Sequence, residues 1–183
     1  KPRIEKIAIK DAKLRTFITQ DDSRDDLVAH VYDITYGAVE SNKDNLIVVD
    51  DSIVRGTTLK QSILKILDRL SPKNIIVVSS APQIRYPDCY GIDMARLEDL
   101  IAFQAMLALL KDNNKESMLE VVYDAAKAEM KKSDLEATNV VNELYKLFST
   151  DQLSKKIAEL VKEDGIKSEV DVIFQTCSCS QFD

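Results

Sequence analysis

Apolar positions along the chain follow two kinds of pattern. Leu46-Ile47-Val48-Val49 and Ile75-Ile76-Val77-Val78 are short unbroken runs, mostly β-branched, which read as strands of a parallel sheet covered on both faces. Between them Leu59, Ile63, Leu64, Ile66, Leu67 and Leu70 recur at helical spacing and predict a helix over about 58–70, with Ser71-Pro72-Lys73-Asn74 as the turn back. Such a connection should be right-handed and leave the strands parallel. Residues 81–93 carry Pro82, Pro87 and Gly91 and read as an extended loop, followed by a helix over about 95–111 with Leu97, Leu100, Ile101, Met106, Leu109 and Leu110 on its apolar face. Residues 5–9 and 14–18 are short candidate strands.

From about Lys115 to Lys162 the text is charged, free of Gly and Pro, and apolar at helical spacing: Met118 to Ala125, Val140 to Phe148, then Leu153 to Val161. This predicts three helices, the last capped by Thr150-Asp151 and ended near Gly165. Residues 170–175 read as a final strand. The whole is an α/β chain: an open parallel sheet flanked by helices, with a helical insertion towards its C-terminal end.

Composition narrows the class. At 183 residues, 45% hydrophobic and 31% charged, the chain suits one globular domain with a sizeable core. A net charge of −6 argues against a general role on nucleic acid or an anionic membrane, so any phosphate site must be local. No apolar run approaches the length of a transmembrane helix, no signal peptide is visible, and three cysteines do not make a disulfide framework. A cytoplasmic protein is expected.

The chemistry concentrates where the first firm strand ends. Asp50 and Asp51 follow it directly, and Ser52-Ile53-Val54-Arg55-Gly56-Thr57-Thr58 leads into the helix. A helix opening near Thr57 offers unpaired amides and the positive end of its dipole to a phosphate. Gly56 allows close approach, Thr57 and Thr58 add hydroxyls, and Arg55 adds charge. The two carboxylates would repel phosphate and suit sugar hydroxyls or a hydrated Mg²⁺ instead. A ribose 5-phosphate meets both demands, and the carboxyl edge of an open sheet is where such ligands bind. Other readings of the same residues are simple helix capping by Asp and Ser, a Walker B strand, or a receiver domain. No Gly-x-x-x-x-Gly-Lys-Ser/Thr precedes the strand, and Asp93 follows Tyr90-Gly91-Ile92 rather than a strand of suitable length.

Residues 46–58 resemble the phosphoribosyl diphosphate (PRPP) signature of type I phosphoribosyltransferases. The form Val-Asp-Asp-Ser-Ile-Val-Arg-Gly-Thr-Thr resembles the C-terminal domain of the amidophosphoribosyltransferases in particular. Ser79-Ser80-Ala81-Pro82-Gln83-Ile84-Arg85-Tyr86-Pro87, continuing to Met94, is similar to the segment that follows the next strand in that family. Arg15-Thr16-Phe17-Ile18 looks like the start of its mobile catalytic loop. The resemblance runs from about residue 14 to about 110 and returns at 171–176.

The resemblance implies phosphoribosyl transfer from PRPP to ammonia, giving 5-phosphoribosylamine and pyrophosphate at the start of purine nucleotide synthesis. It implies that Asp50 and Asp51 meet the ribose diol and its Mg²⁺, and that Ser52, Arg55, Gly56, Thr57 and Thr58 hold the 5′-phosphate. Arg15 and Thr16 would belong to the closing loop. It further implies a glutaminase domain, purine nucleotides as ligands beside PRPP, and a homo-oligomer. The expected organisation is a partial phosphoribosyltransferase domain over 1–112, a helical insertion over 113–165 where the family has a shorter connection, and a return strand and tail over 166–183. No cysteine precedes Cys89, so the glutaminase nucleophile and its domain are expected to lie outside this sequence, as is the family's early pyrophosphate loop.

Departures from the family pattern open an alternative. Asp21, Asp22, Asp25 and Asp26, balanced by Arg24 alone, stand where the family is rich in Arg and Lys, and Val31-Tyr32 stands near its Lys-Leu-Asn. Either the loop has drifted and other residues do its work, or the chain is a non-catalytic domain that binds PRPP or purine nucleotide for regulation or assembly. A type I transferase acting on a nucleobase is a further rival, weakened by the segment over 80–87. His30, the sole histidine, reads as structural. An iron–sulphur cluster is not expected: Cys89 is displaced by one from the family position, Cys177 and Cys179 are separated by one residue, and a cluster takes four thiolates.

Overall fold

The computed structural model describes residues 3–4, 8–10, 32–34, 37–88, 94–133 and 136–175. Arg15 and Thr16, the acidic stretch 21–26, His30, the candidate strand 14–18 and all three cysteines lie outside the described residues.

The described residues form two sheets. β1 (Ala8–Lys10) and β2 (Tyr32–Ile34) pair antiparallel, with Ile9 opposite Asp33. β3 (Asn45–Asp50), β4 (Asn74–Ser79) and β5 (Glu169–Phe174) form a three-stranded sheet in that order. Their direction follows from the hydrogen bonds at both ends. Lys73 N donates to Asp44 O (2.9 Å) and Glu169 N to Lys73 O (3.3 Å) where the strands begin. Ser80 N donates to Asp50 O (2.9 Å) and Gln175 N to Ser79 O (3.1 Å) where they finish. Starts meet starts and ends meet ends, so the sheet is parallel.

The chain after β3 is helical over 57–68, a π-helical turn Leu59–Ile63 continuing into α1 (Leu64–Asp68). After β4 come a short 3₁₀ turn Leu97–Asp99, α2 (Ile101–Asp112), α3 (Ser117–Glu129), α4 (Asn142–Tyr145) and α5 (Thr150–Val161). This is the open α/β sheet with flanking helices that the sequence predicts. No helix among the described residues is long and apolar enough to cross a membrane.

The contacts divide the chain into two compact units. The first comprises Lys1–Val48, Gly56–Val77 and Val161–Asp171. Its core includes Leu46, Leu59, Leu64, Ile66, Ile75, Val77 and Val161. Asp68 ties β5 to it: one carboxylate oxygen accepts from Ser168 Oγ (2.7 Å), Ser168 N (2.9 Å) and Lys167 N (3.1 Å). The second unit comprises Val49–Arg55, Val78–Leu160 and Val172–Asp183. Its core includes Leu100, Ala105, Met106, Leu110, Tyr145, Leu153 and Ile157.

One expectation fails. The apolar run of β3 reads as a strand covered on both faces, but Ile47 is 66% and Val49 73% exposed, whereas Leu46 is buried and Val48 half-buried. β4 and β5 alternate likewise, with Ile75, Val77 and Ser79, and Val170, Val172 and Phe174, turned inward. An unbroken apolar run carries no period-2 signal, so it cannot tell one covered face from two.

Candidate functional site

The strand pleat sets the acid pair. Asp50 falls on the β3 side shared with Leu46 and Val48 and is half-buried; Asp51, one residue on, is exposed. The main chain here is held by an extension of the parallel ladder beyond the strand ends. Asp50 O accepts from Ser80 N, Asp51 O accepts from Ala81 N (3.0 Å), and Ser80 Oγ donates to Asp51 O (3.1 Å). Buried Ser79 fixes the neighbouring turn by donating its hydroxyl to Ala81 O (2.9 Å).

Each carboxylate also orders the residue after it. Asp50 Oδ1 accepts from Asp51 N (3.0 Å), and Asp51 Oδ1 from Ser52 N (2.8 Å). Burial pushes the Asp50 carboxyl above its ordinary range, and the Asp51 charge adds to this, while the bond from the Asp51 amide works the other way. A site that raises a carboxyl in this way gains from a cation or from hydroxyl donors brought against it.

The same unit holds the next residues. Ile53 is buried at 3% exposure, and Val54 O accepts the Ile101 amide that opens α2 (2.9 Å). Arg55 Nη2 lies 3.3 Å from Asp99 Oδ2. Sequence reasoning aimed Arg55 at a phosphate and had no means of seeing Asp99, since nothing in a sequence links partners 44 residues apart. Ser52 is half-buried between the acids and Ile53.

The other unit takes up the chain at Gly56. Its φ of +72° is the left-handed region that a side chain resists. Gly56 O accepts from Lys60 N (2.9 Å), the first bond of the helix, so the amides of residues 57–59 belong to the first turn, which has no intrahelical acceptors for them. Thr57 and Thr58 are exposed. The π turn that follows is a form often found beside functional sites.

In the loop after β4, Arg85 and Tyr86 bond other protein groups. Arg85 donates through Nε (3.2 Å) and Nη2 (2.8 Å) to Gln83 Oε1, and Nη2 also to Thr150 Oγ1 (3.2 Å). The Tyr86 hydroxyl donates to Asn142 Oδ1 (3.0 Å). The described cavities lie away from residues 50–58. One, of about 410 Å³, is lined by apolar residues including Phe103, Leu119, Val122 and Leu144; the other, of about 490 Å³, by residues including Met130 and Val140. Among the described residues no group of three or more His, Cys, Asp or Glu side chains gathers as a metal cage.

Comparison with known proteins yields several amidophosphoribosyltransferases. Amidophosphoribosyltransferase of Pseudomonas aeruginosa is 48% identical over 64 residues, 35% of this chain and 13% of that protein. The Schizosaccharomyces pombe protein of the same name is 48% identical over 59 residues, 32% of this chain and 11% of its own length. That of Escherichia coli is 46% identical over 63 residues, 34% and 12% respectively. The matched stretch is thus about an eighth of each relative, and no family model matches. Over roughly a third of its length the chain is similar to amidophosphoribosyltransferases, in the part read from sequence as the phosphoribosyltransferase domain.

Proposed function

We propose that this chain carries the PRPP-binding part of an amidophosphoribosyltransferase, which transfers the phosphoribosyl group of PRPP to ammonia and releases pyrophosphate, in purine biosynthesis. The observation that carries the reading is Asp50-Asp51 at the carboxyl end of a parallel strand, continued within six residues by a left-handed glycine that opens a helix. In this reading the ribose diol meets the Asp50 and Asp51 carboxylates. The 5′-phosphate takes Ser52, Gly56, the 57–59 amides, the hydroxyls of Thr57 and Thr58, and the Arg55 guanidinium. Departure of pyrophosphate leaves positive charge developing at C1 of the ribose. Fixed carboxylates beside the diol and amides at the phosphate hold that ring in one orientation for attack by ammonia. Arg15 and Thr16 would belong to the loop that closes over it. Ammonia is itself the nucleophile and needs no general base from the protein.

The acid pair fits Mg²⁺ brought in with PRPP. Two carboxylates, one raised by its surroundings, match an ion that takes one or two protein ligands and fills the rest with phosphate and water. Bound there, Mg²⁺ would neutralise charge on the pyrophosphate. A glutaminase domain as ammonia source, purine nucleotides as regulators, homo-oligomeric assembly and a cytoplasmic location complete the proposal. So does the organisation into a phosphoribosyltransferase part over 1–112, a helical insertion over 113–165 and a return strand over 166–183.

Calorimetric titration of the chain with PRPP and Mg²⁺ tests it. Binding is expected, and Asp50→Asn with Asp51→Asn should weaken it at least tenfold through loss of charge-assisted bonds to the diol. Undiminished affinity in that double variant would refute the assignment. The acidic stretch 21–26 supports the second reading, a domain that binds PRPP without turnover. Pyrophosphate release from PRPP and ammonia by the complete protein decides between the two.

A further inference from the structure

The helical region between β4 and β5 makes a specific set of contacts to one short piece of loop. Tyr145, at the end of α4, is 2% exposed, and its hydroxyl donates to Arg85 O (3.0 Å). The Arg85 guanidinium lies over the Tyr145 ring, 5.2 Å from its centroid, and the Tyr86 ring meets the same ring edge-on at 5.7 Å. Gln83 Nε2 donates to Thr150 O (3.0 Å) and to Ser154 Oγ (2.9 Å) at the start of α5. Three of four consecutive loop residues, 83, 85 and 86, are therefore held by side-chain contacts from residues 142–154.

Those loop residues lie directly downstream of Ser80 and Ala81, whose amides bond the carbonyls of Asp50 and Asp51. Only Pro82 separates Ala81 from Gln83. All of these residues belong to the same compact unit. The path from Tyr145 to the acid pair is one loop residue, four positions of chain and a pair of backbone hydrogen bonds.

We propose that the 142–154 region is a brace for the ligand edge of the sheet, with Tyr145 as a positioning residue. It pins the 83–86 loop and thereby fixes the backbone of Asp50 and Asp51 in the orientation that PRPP requires. The proposal rests on the functional reading above and gives the helical insertion a task within it. In this role Arg85 and Tyr86 hold the loop in place. An unbraced loop would leave Ser80 and Ala81 free to part from the acid pair. Ligand binding would then have to restore an order that the wild type already has.

The test uses the full chain with Tyr145→Phe, which keeps the ring and removes the donor to Arg85 O, and Gln83→Ala, alone and combined. A third variant, Leu67→Ala, lowers stability from a buried position on α1, outside the compact unit that holds the loop. Amide hydrogen exchange of the free protein should speed up about tenfold at Ser80 and Ala81 in the double variant. PRPP–Mg²⁺ affinity should fall about five- to tenfold. Leu67→Ala, assayed below its unfolding midpoint, should change neither.

Unchanged exchange at Ser80 and Ala81 in the double variant would overturn the brace. Faster exchange with unaltered PRPP affinity would overturn the positioning role. A wild type that does not bind PRPP would instead refute the functional reading, and the exchange measurement, which needs no ligand, would still decide whether 142–154 holds the edge.

Discussion

Asp68→Ala should destabilise the protein by about 2–3 kcal/mol, and the figure can be built bond by bond. One Asp68 oxygen accepts three bonds from Lys167 and Ser168, across about a hundred positions of sequence, where the chain enters β5. Without the carboxylate, the Ser168 hydroxyl still has Pro72 O at 2.9 Å. The Lys167 amide, on the exposed side, can be rehydrated. The Ser168 amide has neither recourse: the residue is 3% exposed, and a buried donor without a partner costs about 1–3 kcal/mol. Asp68→Asn keeps an acceptor and loses only the charge, so about 1 kcal/mol is expected. Urea unfolding at pH 7 measures both, with the midpoint lowered and the slope unchanged. Burial pushes the Asp68 carboxyl up, but the bonds from Ser168 and Lys167 outweigh it and hold the group below its ordinary value of 3.8. A depressed carboxyl adds stability above its unfolded value and loses it as the pH falls through the folded one. The deficit of the Asn variant should therefore be full at pH 6 and shrink below about pH 4. An Ala variant within 0.5 kcal/mol of wild type, or an Asn deficit that grows on acidification, would refute the account.

Three further outcomes follow from the same geometry. Gly56→Ala forces a side chain into a φ of +72° and should cost about 1–2 kcal/mol in urea unfolding, together with a loss of ribose 5-phosphate affinity. Asp50→Asn should stabilise the free protein while weakening PRPP binding. Burial raises the Asp50 carboxyl, so the folded state holds its proton more tightly than the unfolded chain; stability falls as the pH rises through that window and the cost is complete at neutrality. Thermal unfolding should show a rise of about 1–2 °C at pH 7 and none at pH 3, and a fall at pH 7 would mark the carboxylate as structural. Leu153→Ala, at a fully buried position of α5, should cost about 2–5 kcal/mol by cavity formation in urea unfolding.

The sheet was the most legible part of the chain. Its strands begin and end within a residue of the runs 46–50, 75–79 and 170–175, because β-branched residues flanked by turn chemistry leave little choice of boundary. Helix starts were harder. Periodicity carries a helix back to about 95, but Leu100 is extended, and the Ile101 amide is taken by Val54 O, so α2 begins there. The Val140–Phe148 pattern is similarly longer than α4. Leu144, Leu147 and Phe148 donate three residues back, to Val141, Leu144 and Tyr145, giving tight turns around one short α-helical stretch. At the candidate site, composition and order identified the acids, the glycine and the threonines. The partners that constrain them, Asp99 for Arg55 and Tyr145 for the loop, come from distant positions that no local pattern marks.

Those constraints bear on how a ligand would be received. The acid pair needs no ordering, since the ladder to Ser80 and Ala81 continues past the strand ends. Downstream, buried Ile53 and the Val54–Ile101 bond anchor the chain before Arg55. Binding a rigid edge costs less conformational entropy than organising a loose one, so more of each contact is available as affinity. Arg55 is held differently. Its pair with Asp99 spans 3.3 Å, with the two side chains 37% and 35% exposed, a setting in which an ion pair is worth about 0–1 kcal/mol. A phosphate offers the guanidinium stronger, bidentate bonds. In the proposed reading, a 5′-phosphate that drew Arg55 away from Asp99 would give up a contact of that modest size.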